Sequence, residues 1–473
     1  MLRKGEKMEN FIASFSDALY SYVLIIILLL GGLYFTFRSK FVQFGQLREQ
    51  VRVVGEKPSD KKGVSSFQAL MVSTASRVGT GNIIGVSTAI CLGGFGSVFW
   101  MWMIAIICSA SAFVESTLAQ IYKRRGDDGS CYGGPAYYIE TALKCRPLAI
   151  VFSILLILTY GVGFNMLASY NLQSTFSSYS FYNASYTPWI IGFILMIFVG
   201  ICLFGGGRRI VRVTELLVPI MGIAYVLVAL IIVILNVGTL PSVFGRIFSE
   251  AFDLTAIFGG FGGSCVMYGI KRGLFSNEAG VGSAPNASAS AEISHPVKQG
   301  LVQILSVFLD TILVCSATAF MCMCSGVEPS AEVSGAPYVQ ASLNATLGSF
   351  GPVFITVAMM LFAFTTLLGN LYYVDKALIH IIGKHLNKRV KYTYYILASL
   401  VIFVGSGLNS GLLWNIADIT MGLMTVINMP VIFYLSKYAF RALGGYLKQK
   451  REGKEPVFLA KEIGITDPLD YWN

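Results

Sequence analysis

Apolar runs of about twenty residues recur along this chain, and two of them are broken near their centres by glycine-rich stretches. The first is Val78-Gly79-Thr80-Gly81-Asn82, and the second is Gly259-Gly260-Phe261-Gly262-Gly263-Ser264. Runs of this length match a hydrocarbon core roughly 30 Å thick. Within that core the protein itself must satisfy every backbone N–H and C=O. Glycine-rich backbone does not hold a helix there, and lipid offers it no partner. It persists where it lines an enclosed cavity for an ion or small solute. The alternative use of such glycines is close helix packing. Two clusters at matched depth, about 180 residues and about five spans apart, fit a duplicated transporter core better. Each break frees N–H groups that favour an anion such as a carboxylate, and C=O groups that favour a cation.

Of the 473 residues, 55% are hydrophobic and only 13% charged, against about a quarter charged in soluble proteins. About 11 spans are expected, near 18–37, 64–94, 97–122, 148–171, 188–206, 211–237, 247–271, 299–324, 351–378, 392–408 and 411–436. The net charge of +10 is placed for a membrane rather than for nucleic acid. Basic clusters follow the first and third spans, lie between the fifth and sixth, precede the tenth and fill the C-terminal tail. The loops at 174–188 and 325–350 hold no Lys or Arg. The positive-inside rule then predicts an outside N-terminus and a cytoplasmic C-terminus in the plasma (inner) membrane. The first span is too long for a signal-peptide core and is expected to be retained. The nine cysteines lie in or near spans or on the basic side, so no disulfide framework is expected.

Spans two and seven run in opposite directions, which makes two five-span units an inverted repeat. The expected organisation is 1–63 as an extra span with a basic loop, 64–240 and 241–440 as the two repeats, and 441–473 as a tail. A second candidate break, around Lys271-Arg272-Gly273 to Glu278, is set aside on charge. Lys271 and Arg272 are costly at the midplane and comfortable at a cytoplasmic end. Residues 273–298 are therefore expected to be a cytoplasmic segment.

Several stretches carry a family resemblance: RVGTGNIIGVSTAI at 77–90, FVESTLAQIY at 113–122, GGPAYYIETAL at 133–143 and RGLFSNEAGVGSAP at 272–285. HPVKQG at 295–300, FLDTILVCSATA at 308–319, FAFTTLLG at 362–369 and WNIAD at 414–418 extend it in the same order. In these residues the chain resembles the alanine/glycine:cation symporter family, also called sodium:alanine symporters. The resemblance implies an all-α membrane protein of LeuT-type five-plus-five inverted-repeat fold, with two broken helices. It also implies import of a small neutral amino acid coupled to Na⁺, occasionally to H⁺. Similarity to this fold places Thr365 and Thr366 opposite the first break. With the carbonyls of Ala75, Val78 and Phe362 they would form an all-oxygen cage suited to Na⁺. The alternative for the threonines is to bond back to their own helix. The expected substrate contacts are Gly79, Thr80, Gly81 and Asn82 at the first break, Gly260, Phe261 and Gly262 at the second, and Asn165, Ala168 and Asn370 on the facing spans. Ala168 stands where the family usually has glutamine, and Asn370 where it usually has tryptophan. Alanine and glycine lead as substrates, and glutamine stays open.

Arg77, Glu115, Asp310 and Asp418 all fall within spans, where charge is costly unless paired. Arg77 is expected to neutralise Glu115 or Asp310, or to order the broken backbone, in a structural or gating role. The three histidines show no metal-ligand spacing, and no phosphate-binding glycine loop is present. The chain is thus expected to be a secondary symporter and not an enzyme. Its expected partners are the bilayer, Na⁺ or H⁺ and an amino acid, with no cofactor, nucleic acid or obligate protein partner. A channel or an amino-acid sensor on the same scaffold is the rival class.

Overall fold

The computed structural model describes residues 2–58, 63–126, 129–253, 264–383 and 387–472. Among the described residues, seven helices are long and apolar enough to cross a bilayer alone, and shorter or broken ones complete the bundle. In chain order, α1 is Asn10–Arg38, and α2 (Ser66–Arg77) and α3 (Gly81–Gly93) are the halves of one interrupted helix. Next come α4 (Gly96–Ile121), α5 (Pro135–Ala142), α6 (Arg146–Ser174), α7 (Thr187–Leu203) and α8 (Gly207–Leu235). The second half holds α9 (Leu240–Ala251), α10 (Cys265–Asn277), α11 (Val297–Met323) and α12 (Ala336–Leu347). It ends with α13 (Phe350–Ile382), α14 (Lys388–Gly405) and α15 (Ser410–Arg451).

Local chemistry sets many of these boundaries. Ser65 and Gln68 form a reciprocal capping box at the start of α2, each bond 3.1 Å, satisfying two donors that a helix start leaves free. Proline opens α5, α7, α9 and α12 in the first turn, where its missing N–H costs nothing. After α13 the chain stops on Gly383 at φ +108°, a conformation that disfavours any residue with a Cβ.

The helices pack as two groups. In one, α10 and α11 lie against α4, with α10 also on α3; in the other, α7 packs on α14 and α13 on α6. The helix α8 bridges them by touching both α11 and α13, while α1 lies outside against α4 and α15.

Residues 273–298, expected as a cytoplasmic segment, are packed within the bundle. Nearly all are buried, and Lys271 and Arg272 are buried with them, at 4% and 6% exposure. Both bind Asp418 of α15, at 3.2 Å and 3.1 Å. Lys271 also reaches Asp17 of α1 at 3.3 Å, and the Arg272 guanidinium lies 4.1 Å from the Trp414 ring centre. The charge argument fails because a counter-ion about 150 residues downstream removes the penalty that it assumed. The break expected at Gly259–Gly263 lies outside the described residues.

Beyond α15 the chain folds back. The Trp472 indole donates to the Gln120 carbonyl at 2.8 Å, and the Lys123 ammonium sits 4.5 Å from the Tyr471 ring centre. Lys298, the last residue of the buried segment, pairs with Glu455 at 2.7 Å and with Glu56 at 2.8 Å.

Asp418 is the anion on which two buried cations depend. Asp418→Asn is expected to destabilise the protein by about 3–5 kcal/mol, read as a lower thermal unfolding midpoint in detergent. An unchanged midpoint would contradict the assignment.

Candidate functional site

The first break is held by a side chain that imitates backbone. The last helical bond runs from the Val78 N–H to the Thr74 carbonyl at 2.7 Å. The next donor, Gly79 N–H, turns to Asn82 Oδ1 at 2.7 Å, leaving the Ala75 carbonyl without its helical donor. Asn82 is fixed in turn, because its Nδ2 donates to Asp310 Oδ1 on α11 at 2.6 Å. The other Asp310 oxygen accepts from Ser276 and Thr311, each at 2.7 Å.

A second break follows α10. Glu278 adopts φ +53°, Gly280 +87° and Gly282 +90°, and a short helix, Pro285–Ser288, resumes beyond. The Gly280 N–H donates to Glu115 of α4 at 3.3 Å. Asn428 of α15 bridges the same carboxylate, at 2.9 Å, to the Gly280 carbonyl, at 3.0 Å. The Tyr138 hydroxyl donates to the Asn428 side-chain oxygen. A Cβ on Gly282 would lie 2.8 Å from Phe152 and Pro135, so glycine is required there for space as well as for φ.

A small cavity lies between the two breaks, with α6 and α13 as its far wall. Ser76, Arg77, Gly79, Thr80 and Gly81 line it from the first break, and Phe275 and Glu278 from the second. Phe164, Leu167 and Ala168 of α6 and Thr366 of α13 close it. The Phe164 and Phe275 rings meet at 4.5 Å between centroids, and Phe275 packs on Trp414 at 4.8 Å. Room for the centre of a water-sized molecule is about 10 Å³, enough for one water. Anything larger than a water fits only after these walls part.

The threonine pair divides. Thr365 Oγ1 donates back to the carbonyls of Leu361 and Phe362, at 2.9 Å and 3.2 Å. Thr366 Oγ1 is buried with no hydrogen-bond partner, and a Cβ built on Gly79 would collide with it. It thus faces the broken backbone at Gly79; Ala75, Val78 and Phe362 are buried as well.

Among the other expected contacts, Gly79, Thr80, Gly81 and Ala168 line the cavity. Asn370 and Asn165 lie behind it: Asn370 accepts from Ser76 Oγ at 2.7 Å and donates to Asn165 at 3.0 Å. Asn82, Glu115 and Asp310 hold the breaks. Gly260, Phe261 and Gly262 lie outside the described residues. Arg77 forms no ion pair within 4.0 Å among the described residues. Its Nη1 donates to Gln303 at 2.9 Å, while Nε and Nη2 have no partner. The expected pairing with Glu115 or Asp310 is absent because those carboxylates are committed to the breaks.

Glu278 and Phe275 were not singled out from the sequence, although it carries a signal for them. Arg77-Val78-Gly79-Thr80-Gly81-Asn82 repeats as Glu278-Ala279-Gly280-Val281-Gly282-Ser283, with the leading charge reversed. Phe113-Val114-Glu115-Ser116 and Phe308-Leu309-Asp310-Thr311 repeat likewise. These echoes mark both breaks and both braces.

Two interrupted helices facing one cavity in a two-group bundle define a transporter of the LeuT class. The crystal structure of MhsT in complex with L-phenylalanine shares the fold, with a TM-score of 0.53 and 14% identity over 86% of this chain and 96% of that one. The sodium:alanine symporter family model matches residues 5–460, and the chain belongs to that family of transporters. Among its relatives, the amino-acid carrier protein AlsT of Bacillus subtilis is 43% identical, covering 98% of both chains. The probable sodium/glutamine symporter GlnT of the same organism is 42% identical, over 98% of this chain and 96% of the relative. The sodium/alanine symporter AgcS of Methanococcus maripaludis is 37% identical, over 87% and 91%.

Replacing Asp310 by alanine strands the Asn82 amide and the Ser276 hydroxyl. A loss of about 2–4 kcal/mol in stability is expected, with Asp310→Asn costing less. Thermal unfolding of both variants beside the wild type checks it; equal midpoints for all three would contradict the brace.

Proposed function

We propose that this chain imports a small neutral amino acid, alanine or glycine first, together with Na⁺. The observation that carries the proposal is Thr366 Oγ1, a buried hydroxyl with no partner that faces the broken backbone at Gly79. A hydroxyl, a carbonyl released from its helix and further backbone oxygens are hard ligands of the kind that Na⁺ takes. On the neighbouring side the half-helix α3 begins at Gly81, and free N–H groups at such a start attract a carboxylate. Cation and amino acid would then share one cavity, and binding both would favour rocking of the α4–α10–α11 group against the α6–α13 group. The relatives named for sodium with alanine or glutamine support the same reading.

Glutamine is the second reading. Ala168 lies on the cavity wall where the family usually carries a glutamine side chain, which leaves more room there. We also assign 64–240 and 241–440 as the inverted repeats, flanked by 1–63 and 441–473. The repeated break motif, 201 positions apart from Gly79 to Gly280, supports that division.

The test is uptake into proteoliposomes with imposed Na⁺ or H⁺ gradients and a panel including alanine, glycine and glutamine. Accumulation above equilibrium that follows the Na⁺ gradient is expected, and mere equilibration would point to a channel. Thr366→Val is expected to raise the half-saturating Na⁺ concentration by about tenfold, and Thr365→Val much less, since its hydroxyl already has partners. Equal Na⁺ dependence in all three proteins would remove Thr366 from the ion site.

Orientation in the plasma membrane follows the basic loops, with the N-terminus outside and the tail cytoplasmic. Cysteines placed in the loops 174–188 and 325–350 should react with an impermeant thiol reagent added to intact cells. Protection of those sites, with labelling of the basic loops instead, would reverse the assignment.

A further inference from the structure

We infer that Glu278 binds the ammonium group of the transported amino acid. The inference rests on the amino-acid symport reading and names the residue that recognises one end of the substrate.

Glu278 is 1% exposed and lines the cavity between the breaks. Its backbone is left-handed, at φ +53° and ψ +19°, a conformation that a residue with a Cβ rarely adopts. Where a helix ends in this way glycine or asparagine is the usual choice, so turn geometry does not explain a glutamate. Two hydroxyls lie against its carboxylate: Ser283 Oγ donates at 2.7 Å from across the same break, and Ser76 Oγ, whose one proton is nearer Asn370, approaches to 3.3 Å from the other one. Neither is a cation, and among the described residues no basic group lies within 4.0 Å of it. A carboxylate at this depth is stable only with a counter-charge or a full set of donors. Two hydroxyls leave several of its lone pairs free.

The positive group on the same cavity is Arg77, at the position matching Glu278 in the repeated motif. Gln303 holds its Nη1 at 2.9 Å, and Nε and Nη2 have no partner. One negative and one positive group facing a single cavity, each fixed by neutral partners and not joined to the other, suit a zwitterion. The ammonium, with three donors, would take the free lone pairs of Glu278. The carboxylate would lie toward the start of α3 at Gly81. Na⁺ would remain on the Thr366 side, at different oxygens.

The test is equilibrium binding of radiolabelled alanine to the full-length protein in lipid nanodiscs at saturating Na⁺. Lactate serves as competitor, because it replaces the ammonium by a hydroxyl and keeps the rest. E278Q is expected to weaken alanine binding by about 10- to 100-fold. Its preference for alanine over lactate should shrink by a similar factor, while half-saturating Na⁺ stays unchanged. E278D, which keeps the charge but withdraws it, should lose only several-fold. An E278Q protein with unaltered alanine affinity overturns the proposal. So does equal loss of alanine and lactate, or a shift confined to Na⁺. Should E278Q fail to fold, E278D with wild-type affinity and preference overturns it as well. If the wild type binds none of alanine, glycine and glutamine in Na⁺, the symport reading itself fails, and this inference with it.

Discussion

The backbone of a membrane-embedded break has to be satisfied by protein, and the rest of the structure follows from how that is done. At Gly79 the donor finds Asn82, which is anchored on Asp310; at Gly280 the donor finds Glu115. The two braces cross over. Glu115 sits on α4 in the first half of the chain and holds the second break, while Asp310 sits on α11 in the second half and holds the first. Each half therefore stabilises the interruption in the other. Neither break can be remodelled without disturbing a carboxylate that belongs to its counterpart.

Polar contacts between the two helix groups are sparse by comparison. Ser76, at the end of α2, connects Glu278 to Asn370 of α13, and Asn370 continues to Asn165 of α6. Thr80 accepts from Asn171 at 3.0 Å. These neutral, short-side-chain bonds can be exchanged for similar ones at small net cost, because a typical bond of this kind is worth about 1 kcal/mol. The ionic cluster of Lys271, Arg272 and Asp418 is a heavier link between α10 and α15. It stacks on Trp414, which packs on Phe275 of the cavity wall. The same charges thus lie one aromatic layer away from the cavity wall.

Hydropathy made the bundle legible, and the first break was legible because glycines interrupt a run with no charge beside Gly79 except Arg77. The break after α10 is hidden in the sequence for a physical reason. Lys271 and Arg272 were weighed as isolated charges, and the Asp418 that neutralises them is remote in sequence. A comparison of the chain with itself would have found the x-Val/Ala-Gly-x-Gly-Asn/Ser repeat, and with it Glu278. Other differences were beyond pattern reading. Whether Asn370 faces the cavity or backs onto Ser76, and whether Thr365 or Thr366 keeps a free hydroxyl, depends on how α13 is rotated against α2. That rotation is set by contacts such as Gly369, where a Cβ would lie 2.7 Å from the Ser76 backbone nitrogen.

The returning tail gives the molecule a strap across one end. Trp472 is tied to the last turn of α4, while Glu455 is tied to Lys298 at the start of α11. The strap therefore spans the ends of two helices that flank the buried segment 278–296. Its indole anchor is almost fully buried, at 8% exposure, but the Glu455 side chain is 61% exposed. The two fastenings thus answer to different conditions, since ions in solution reach Glu455, the exposed half of its pair, and leave the buried ring untouched. Spreading that end of the bundle would unfasten the strap from its salty side first, like a hinge with one loose pin.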